Sequence, residues 1–243
     1  MKFVVLPNAA AIGLAVGDVI CDLVRKKSDT VLGLATGASP LPTYQRMIDR
    51  CKTGEVSFKD VRTFNLDEYC DLPETHPCSY HYFMRKELFD QVGILPEHTH
   101  FLDGNTVDEG AESQRYSALI EQNGGIDLQL LGIGRNGHIG FNEPSENFTQ
   151  ESFKVALTDS TIAANSRYFR DIPMPKCAMT MGIGLILRAR KIILIATGSE
   201  KATAIKAMLE GSVTPRCPAS ALQKHPEVAV FLDPAAAALL NEN

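Results

Sequence analysis

The chain lacks several features that would assign it to a class at once. Its six cysteines include no C-x-x-C pair, which fits reduced thiols better than a disulfide framework. No apolar run is long enough to span a bilayer. The 24 basic and 29 acidic residues leave a net charge of −5, so no overall positive field attracts nucleic acid. We therefore expect a cytoplasmic protein that has neither nucleic-acid nor membrane partners.

The chain has the size of one large α/β domain. Its 243 residues include no stretch with the composition of a linker, so we expect a single domain over residues 1–243. Asn8 and Asp18 interrupt the apolar N-terminus, and residues 3–6 fit a first strand better than part of a signal peptide.

Short apolar runs rich in Val, Ile and Leu alternate with helical patterns. We expect Thr106 and Glu109 to form a capping box for a helix that ends near Gly124, and Gly211 to stop a helix that begins near Glu200. This alternation predicts an α/β fold, an open, mostly parallel, twisted sheet with helices on both faces. The predicted strands are residues 3–6, 30–34, 61–66, 127–131, 191–196 and 228–232.

A glycine-rich turn after the fourth predicted strand carries the strongest chemical signal. The segment GIGRNGHIGFNEP contains Asn136, His138 and Glu143. In an open α/β sheet, ligands bind outside the carboxyl ends of the strands. A histidine followed five positions later by a carboxylate is well placed there for acid/base chemistry. The turn therefore favours an enzyme.

The same turn also matches a dinucleotide-binding fingerprint. Gly132, Gly134 and Gly137 spell G-x-G-x-x-G after a strand, a pattern that should open a helix facing a pyrophosphate. The following residues, HIGFNEP, place an aromatic residue, Asn and Pro where that helix should propagate. We expect no dinucleotide cofactor.

A group of metal-binding residue types lies within a dozen positions. It comprises Cys70, His76, Cys78 and His81. Structural zinc sites usually pair their ligands two to five residues apart in each half, and this spacing fits poorly. We expect no metal, and interpret the segment as a proline-containing loop that leads into a helix.

Two segments share one pattern, in which a buried strand runs into Ala-Thr-Gly and then Ser at a helix start. In LGLATGASP, backbone N–H groups with the hydroxyls of Thr36 and Ser39 could bind a phosphate. In LIATGSEKA, Lys201 follows in the first turn and could supply positive charge. The alternative is that these residues only cap helices and form turns.

A third strand ends in NLDEY, which places Asp67 and Glu68 at the same edge of the sheet. Acids after a strand are often turn formers or caps. However, the same edge of the sheet is also expected to carry His138 and the candidate phosphate-binding turn with Thr36 and Ser39. In that setting Asp67 suits proton abstraction next to a carbonyl in a sugar phosphate.

Six motifs resemble those of glucosamine-6-phosphate deaminases, also called isomerases, along nearly the whole chain. LGLATGASP, FNLDEY, GIGRNGHIGFNEP, ANSRYF, AMTMGIG and GSEKA occur in the family's order and at about its spacing. The resemblance implies conversion of D-glucosamine 6-phosphate to D-fructose 6-phosphate and ammonia in amino-sugar catabolism, without a metal or organic cofactor. The alternatives are a 6-phosphogluconolactonase, which shares the fold and a similar turn, and a non-catalytic sugar-phosphate-binding module.

The resemblance also implies roles for single residues. His138 would open the sugar ring as acid and base, and Asn136 and Glu143 would orient it. Asp67 would take the C2 proton and return a proton to C1. The phosphate would be held by Thr36, Gly37, Ala38 and Ser39 with Arg167 and Lys201. Arg167 lies in a segment, residues 153–178, that resembles the family's mobile lid.

Regulation and assembly are expected to be simple. Allosterically activated family members use a serine, an arginine and a lysine to hold a phosphate where this chain has Glu146, Phe153 and Val155. An acidic and two apolar residues cannot do so, and the chain ends at Asn243, short of the longer members. We expect an unregulated monomer or low-order homo-oligomer. Because we expect the first strand near residue 3, we expect no helix-turn-helix before it, and a transcriptional sensor is the less favoured interpretation.

Asn136 stands where many family members carry aspartate. Asparagine can still orient His138 but stabilises an imidazolium less than a carboxylate does. We therefore predict that Asn136→Asp keeps its activity and shifts its pH profile, measured as kcat/KM against pH. A folded but wholly inactive variant would contradict this account.

Overall fold

The structure, a computed structural model, describes residues 1–169 and 171–241, and that part of the chain contains ten strands and eight α-helices. The strands are β1 Lys2–Val5, β2 Val31–Leu34, β3 Arg62–Asn65, β4 Asp67–Tyr69, β5 Thr99–His100, β6 Leu128–Leu131, β7 Phe153–Ala156, β8 Cys177–Thr180, β9 Ile192–Ala196 and β10 Val228–Leu232. The helices are α1 Ala9–Lys26, α2 Leu41–Lys52, α3 Tyr80–Met84, α4 Asp90–Val92, α5 Glu109–Gln122, α6 Asp159–Asn165, α7 Ile183–Leu187 and α8 Ala202–Glu210.

The main sheet has seven strands, all parallel, in the order β1-β10-β9-β6-β2-β3-β5. All six predicted strands belong to it. The open parallel sheet confirms the fold class that the strand-helix alternation predicts. Within the described residues, no helix is both long and apolar enough to cross a membrane.

Helices cover both faces of this sheet because its central strands are apolar on both sides. In β2, Val31 packs in the cluster that includes residues of α5, α7 and α8, whereas Leu32 and Leu34 pack with α1 and α2. Side chains alternate between faces along a strand. A strand buried on both faces is therefore continuously hydrophobic, as the sequence pattern of β2 shows.

A second sheet, which the sequence analysis does not predict, has three antiparallel strands in the order β4-β8-β7. Only Leu66 separates β3 from β4, so the chain passes directly from one sheet to the other. Asp67 therefore lies in a strand and not in the predicted loop. The strands of this sheet have three or four residues each, too few to form a clear alternating pattern.

The expected capping box of α5 is wrong. Asp108 caps this helix, and its carboxylate accepts the N–H of Ala111 at 2.9 Å. The Thr106 hydroxyl instead accepts the N–H of Asp108 at 3.2 Å, because an aspartate directly before the helix takes the cap position. Gly211 is the C-cap of α8, as predicted.

Candidate active site

Four neighbouring strands, β9, β6, β2 and β3, end at one cavity of about 410 Å³. The segment after β9 contributes Lys201, that after β6 contributes His138, and that after β2 contributes residues 36–39. Asp67 arrives from β4, one residue beyond β3. Because parallel strands end at the same edge of a sheet, residues far apart in the sequence meet here.

The turn after β2 is open toward the cavity. Gly37 has a φ of 83°, a left-handed conformation that favours glycine. The next helix, α2, has Pro40 as N-cap and no side-chain cap, so the Ser39 hydroxyl is not used to cap it. Thr36 bonds with the phenol of Tyr80. This geometry supports the interpretation as an anion cradle over that of a helix cap.

The similar turn after β9 is built differently. The N–H of Gly198 donates to both carboxylate oxygens of Asp233, at 3.0 and 3.1 Å. The carboxylate of Asp233 thus occupies the backbone N–H donor that a bound phosphate would use. This turn places Lys201 at the cavity but does not form a second phosphate-binding turn.

Two cations, Lys201 and Arg135, line the cavity. Burial lowers the pKa of the Lys201 ammonium, and Arg135 lowers it further while Glu200 opposes the shift. Of the carboxylates that the structure describes, none forms an ion pair with either cation. Two positive charges beside exposed backbone N–H groups favour the binding of an anionic ligand.

The carboxyl group of Asp67 lies at the cavity although the residue is only 6% exposed. Burial raises its pKa to about 8, and the charge of neighbouring Glu68 contributes. Within the described part of the chain, no hydrogen bond to this carboxylate offsets the loss of water. A carboxyl group with this pKa can exchange a proton near neutral pH.

Asn136, His138 and Glu143 form one connected group. The amide of Asn136 donates to Glu143 Oε2 at 2.7 Å, and the Asn136 side-chain oxygen accepts the N–H of His138 at 3.2 Å. His138 Nδ1 lies 3.5 Å from Glu143 Oε2, which leaves Nε2 as the nitrogen for a ligand. Asn136 therefore holds the backbone of His138 and the carboxylate of Glu143, while the His138 ring lies beside that carboxylate without a hydrogen bond at Nδ1 among the described residues.

Glu143 is ionised by this environment. Its burial opposes ionisation, but the neighbouring His138 ring, 3.5 Å away, with hydrogen bonds from Thr161 and Asn136, lowers its pKa to about 2. The hydroxyls of Thr161 and Thr158, both from the start of α6, donate to Glu143 Oε1. The segment that resembles a lid is therefore attached to the catalytic candidate His138 through Glu143.

Arg167 does not line the cavity. Its guanidinium donates to the Tyr168 hydroxyl at 2.9 Å and lies 4.8 Å from the centre of that ring. Other parts of the predicted lid do reach the cavity, through Thr161 and Asn165 of α6. Residue 170 of that segment lies outside the described residues.

Four polar residues line the cavity that are not predicted from the sequence: Tyr80, Arg135, Thr161 and Asn165. Arg135 carries a usable signal, since it is a cation inside the glycine-rich turn. Tyr80 and the two α6 residues have none, because only the packing of α3 and α6 brings them to the sheet edge.

The segments that match a dinucleotide-binding pattern and a zinc site are folded in other ways. No helix follows Gly137, and residues 132–143 form turns. Of the four residues considered for zinc, the Cys70 thiol is hydrogen-bonded to the thiol of Cys177, His76 accepts the N–H of Cys78, and His81 contacts Glu68. In the described residues, no cluster of three or more His, Cys, Asp or Glu side chains has metal-binding geometry.

Comparison with protein families gives one match that spans most of the chain. Residues 8–231 match the family described as glucosamine-6-phosphate isomerases/6-phosphogluconolactonase. The chain belongs to this family. It is 47% identical over 243 residues to a glucosamine-6-phosphate deaminase of Cellvibrio japonicus (strain Ueda107), covering 100% of this chain and 92% of that protein. A deaminase of Halothermothrix orenii (strain H 168 / OCM 544 / DSM 9562) is 50% identical over 223 residues, with 91% and 92% covered.

Solved structures agree with this assignment. A monomeric glucosamine-6-phosphate deaminase superposes with a TM-score of 0.94 at 41% identity, covering 98% of this chain and 100% of that one. A 6-phosphogluconolactonase from Leishmania guyanensis has a TM-score of 0.78 at 19% identity, with 99% of each chain covered, which shows a shared fold alone. The resemblance to deaminases that the motifs indicate is confirmed.

The buried Asp67 carboxyl group makes stability depend on pH. Below about pH 4 the carboxyl is protonated in both folded and unfolded chains; between pH 4 and about 8 only the folded chain keeps the proton, so stability falls as pH rises. We predict that Asp67→Asn removes this pH-dependent loss in the free energy of unfolding, which is on the order of a few kcal/mol at pH 8. Thermal unfolding should show its Tm exceeding that of the wild type by roughly 5 °C or more at pH 8, with the gap closing toward pH 4.

Asp71→Asn is the matched control, because Asp71 is exposed and its φ of 60° suits asparagine as well. A Tm difference for Asp67→Asn that does not change between pH 4 and pH 8 would show that Asp67 ionises normally in the folded chain.

Proposed function

We propose that the chain catalyses the isomerisation and hydrolytic deamination of D-glucosamine 6-phosphate to D-fructose 6-phosphate and ammonia. One observation carries the proposal: a buried carboxyl group whose pKa is about 8 and a histidine beside an ionised carboxylate face the same cavity as an anion cradle. The 47% identity to a curated deaminase supports it.

Ring opening is assigned to His138. Opening the pyranose moves a proton from the anomeric hydroxyl to the ring oxygen. A neutral imidazole can accept the first proton and return it to the second oxygen near neutral pH. Glu143, whose low pKa keeps it ionised, stabilises the imidazolium that forms between these steps.

Proton transfer between C2 and C1 is assigned to Asp67. The carboxylate removes the C2 proton to give an enolamine and returns a proton to C1. Water then hydrolyses the resulting imine and releases ammonia. Its pKa of about 8 makes this carboxylate a stronger base than an exposed one. A substrate ammonium group bound beside it would favour the ionised form that the reaction needs.

Phosphate binding is assigned to residues 36–39 together with Lys201 and Arg167, and Arg135 is added because it lines the cavity. Arg167 reaches the phosphate in this proposal only when the segment 153–178 closes. The contacts of α6 with Glu143 would then link closure to the position of His138.

The chain is further proposed to act in amino-sugar catabolism as an unregulated cytoplasmic monomer or low-order homo-oligomer. All six cysteines are free thiols, which supports a reducing compartment. Glu146 pairs with Arg216, and Phe153 and Val155 line a small pocket of about 130 Å³. This pocket has no cation among its lining residues, which supports the absence of an allosteric phosphate site.

We predict that the wild type, assayed in EDTA, releases equal amounts of fructose 6-phosphate and ammonia from glucosamine 6-phosphate. Asp67→Asn should reduce kcat by about a thousandfold, because amide cannot take the C2 proton, and His138→Gln by about a hundredfold. Coupled assays of both products, with circular dichroism to confirm folding, test this.

Matched controls carry the same chemical changes away from the cavity: Asp71→Asn and His76→Gln. A folded wild type that hydrolyses 6-phosphogluconolactone but not glucosamine 6-phosphate would establish the lactonase alternative. Binding of sugar phosphates without turnover of either compound would establish the non-catalytic module.

We also predict that the cavity cations act on substrate binding. Lys201→Ala should raise KM for glucosamine 6-phosphate by about tenfold or more, the value of a charge-assisted hydrogen bond, and Arg135→Ala should raise it less because Arg135 is more exposed. Arg188→Ala is the control, since Arg188 pairs with Glu151 outside the cavity. An unchanged KM in Lys201→Ala would remove Lys201 from the phosphate site.

A further inference from the structure

Glu68 is a buried acid that the proposed reaction does not use. It is 3% exposed and follows Asp67 in β4. Because side chains alternate along a strand, Asp67 faces the cavity while Glu68 lies on the other side, away from the lining residues. Burying a carboxylate destabilises the folded state unless the carboxylate is well hydrogen-bonded. The hydrogen-bond partners of Glu68 therefore identify the elements that it connects.

Three backbone N–H groups donate to the Glu68 carboxylate, and the ring of His81 also contacts it. Oε1 accepts the backbone N–H groups of Tyr69 at 2.8 Å and Tyr80 at 2.9 Å. Oε2 accepts the backbone N–H of His81 at 3.0 Å and lies 2.8 Å from His81 Nδ1. Donors on both oxygens fit an ionised carboxylate, which only accepts hydrogen bonds. One side chain thus connects β4 to the start of α3.

The connected elements both present groups to the cavity. β4 presents Asp67, and α3 presents Tyr80, whose hydroxyl lies 3.1 Å from that of Tyr69 and bonds with Thr36. The His81 ring is itself held, stacked on Phe101 with centroids 3.8 Å apart. Movement of Glu68 would therefore displace cavity groups on two elements.

Glu68 also acts on Asp67, because its charge contributes to the raised pKa of the Asp67 carboxyl. The other titratable groups that face Asp67 are the phenols of Tyr69 on β4, Tyr80 on α3 and Tyr116 on α5. Burial raises the pKa of each phenol above its usual value, so they stay neutral. His138 and Lys201 share the cavity. The charge of Glu68 disfavours a second negative charge on Asp67.

We propose that Glu68 and His81 are positioning residues that fix Asp67 and Tyr80 at the cavity and keep a negative charge beside Asp67. The effect on turnover rests on the proposed deaminase function, whereas the effect on Asp67 itself does not. His81 contributes by donating to Glu68, and the exposed Glu74, 3.6 Å from His81 Nε2, is not part of the pair.

The test is a pH titration of Asp67 by carbon NMR with aspartate labelled at its carboxyl carbon, and Asp67→Asn identifies the signal. It needs no substrate, so it can succeed or fail independently of the deaminase assay. We expect Glu68→Gln to lower the pKa of Asp67 by about one pH unit. Glu74→Gln, the same change on the exposed side of His81, should leave it unchanged.

A second pair of variants keeps Glu68 and alters its donor. His81→Leu should reduce kcat by about tenfold with little change in KM, because Asp67 and Tyr80 lose their fixed positions. His81→Asn retains an N–H donor for Glu68 and should recover most of the activity. An Asp67 signal that titrates at the same pH in wild type, Glu74→Gln and folded Glu68→Gln overturns the proposal. Equal kcat values for His81→Leu and His81→Asn overturn it as well.

Discussion

The Asp67 carboxyl group is buried where the two sheets meet, and the rest of the site is arranged around this placement. One residue, Leu66, carries the chain from the parallel sheet into the antiparallel one. The carboxyl group therefore stands beyond the end of β3, at the edge where ligands of parallel sheets bind. Removal from water raises its pKa to about 8. Because desolvation disfavours the charged form, the same burial that costs stability produces a base suited to neutral pH.

The two acids of the site show how environment separates their chemistry. Asp67 has a raised pKa because it is buried without hydrogen-bond donors from the described residues, beside the negative Glu68. Glu143 is also largely buried, but contacts with His138, Thr161 and Asn136 lower its pKa to about 2. Groups whose environments move their pKa values apart can take different roles. One is suited to exchanging protons with carbon, and the other to stabilising a charged imidazole.

Much of the fold and part of the site could be predicted from the sequence because those signals are local. Six strands of the main sheet appear as short apolar runs, since both faces of these strands are buried. Asp67, His138 and Lys201 could be located because each follows such a run closely. The three-stranded sheet could not, because its short strands give no periodic signal. Nor could the cap of α5, where Thr106 and Asp108 compete and the geometry favours Asp108.

The sequence by itself determined the family, the parallel sheet and the residue types available at the strand ends, because motifs and hydrophobic periodicity depend only on residues that are close together in the sequence. Only the tertiary structure decided which residues share the cavity. In the folded chain Tyr80 and Arg135 line the cavity, whereas Arg167 does not. The backbone N–H of the turn after β9 donates to Asp233 and is not free to bind a phosphate. Tertiary structure also decided the pKa values of Asp67 and Glu143. A carboxyl group's ionisation depends on nearby water, charges and donors, and these come from distant segments that only folding brings together.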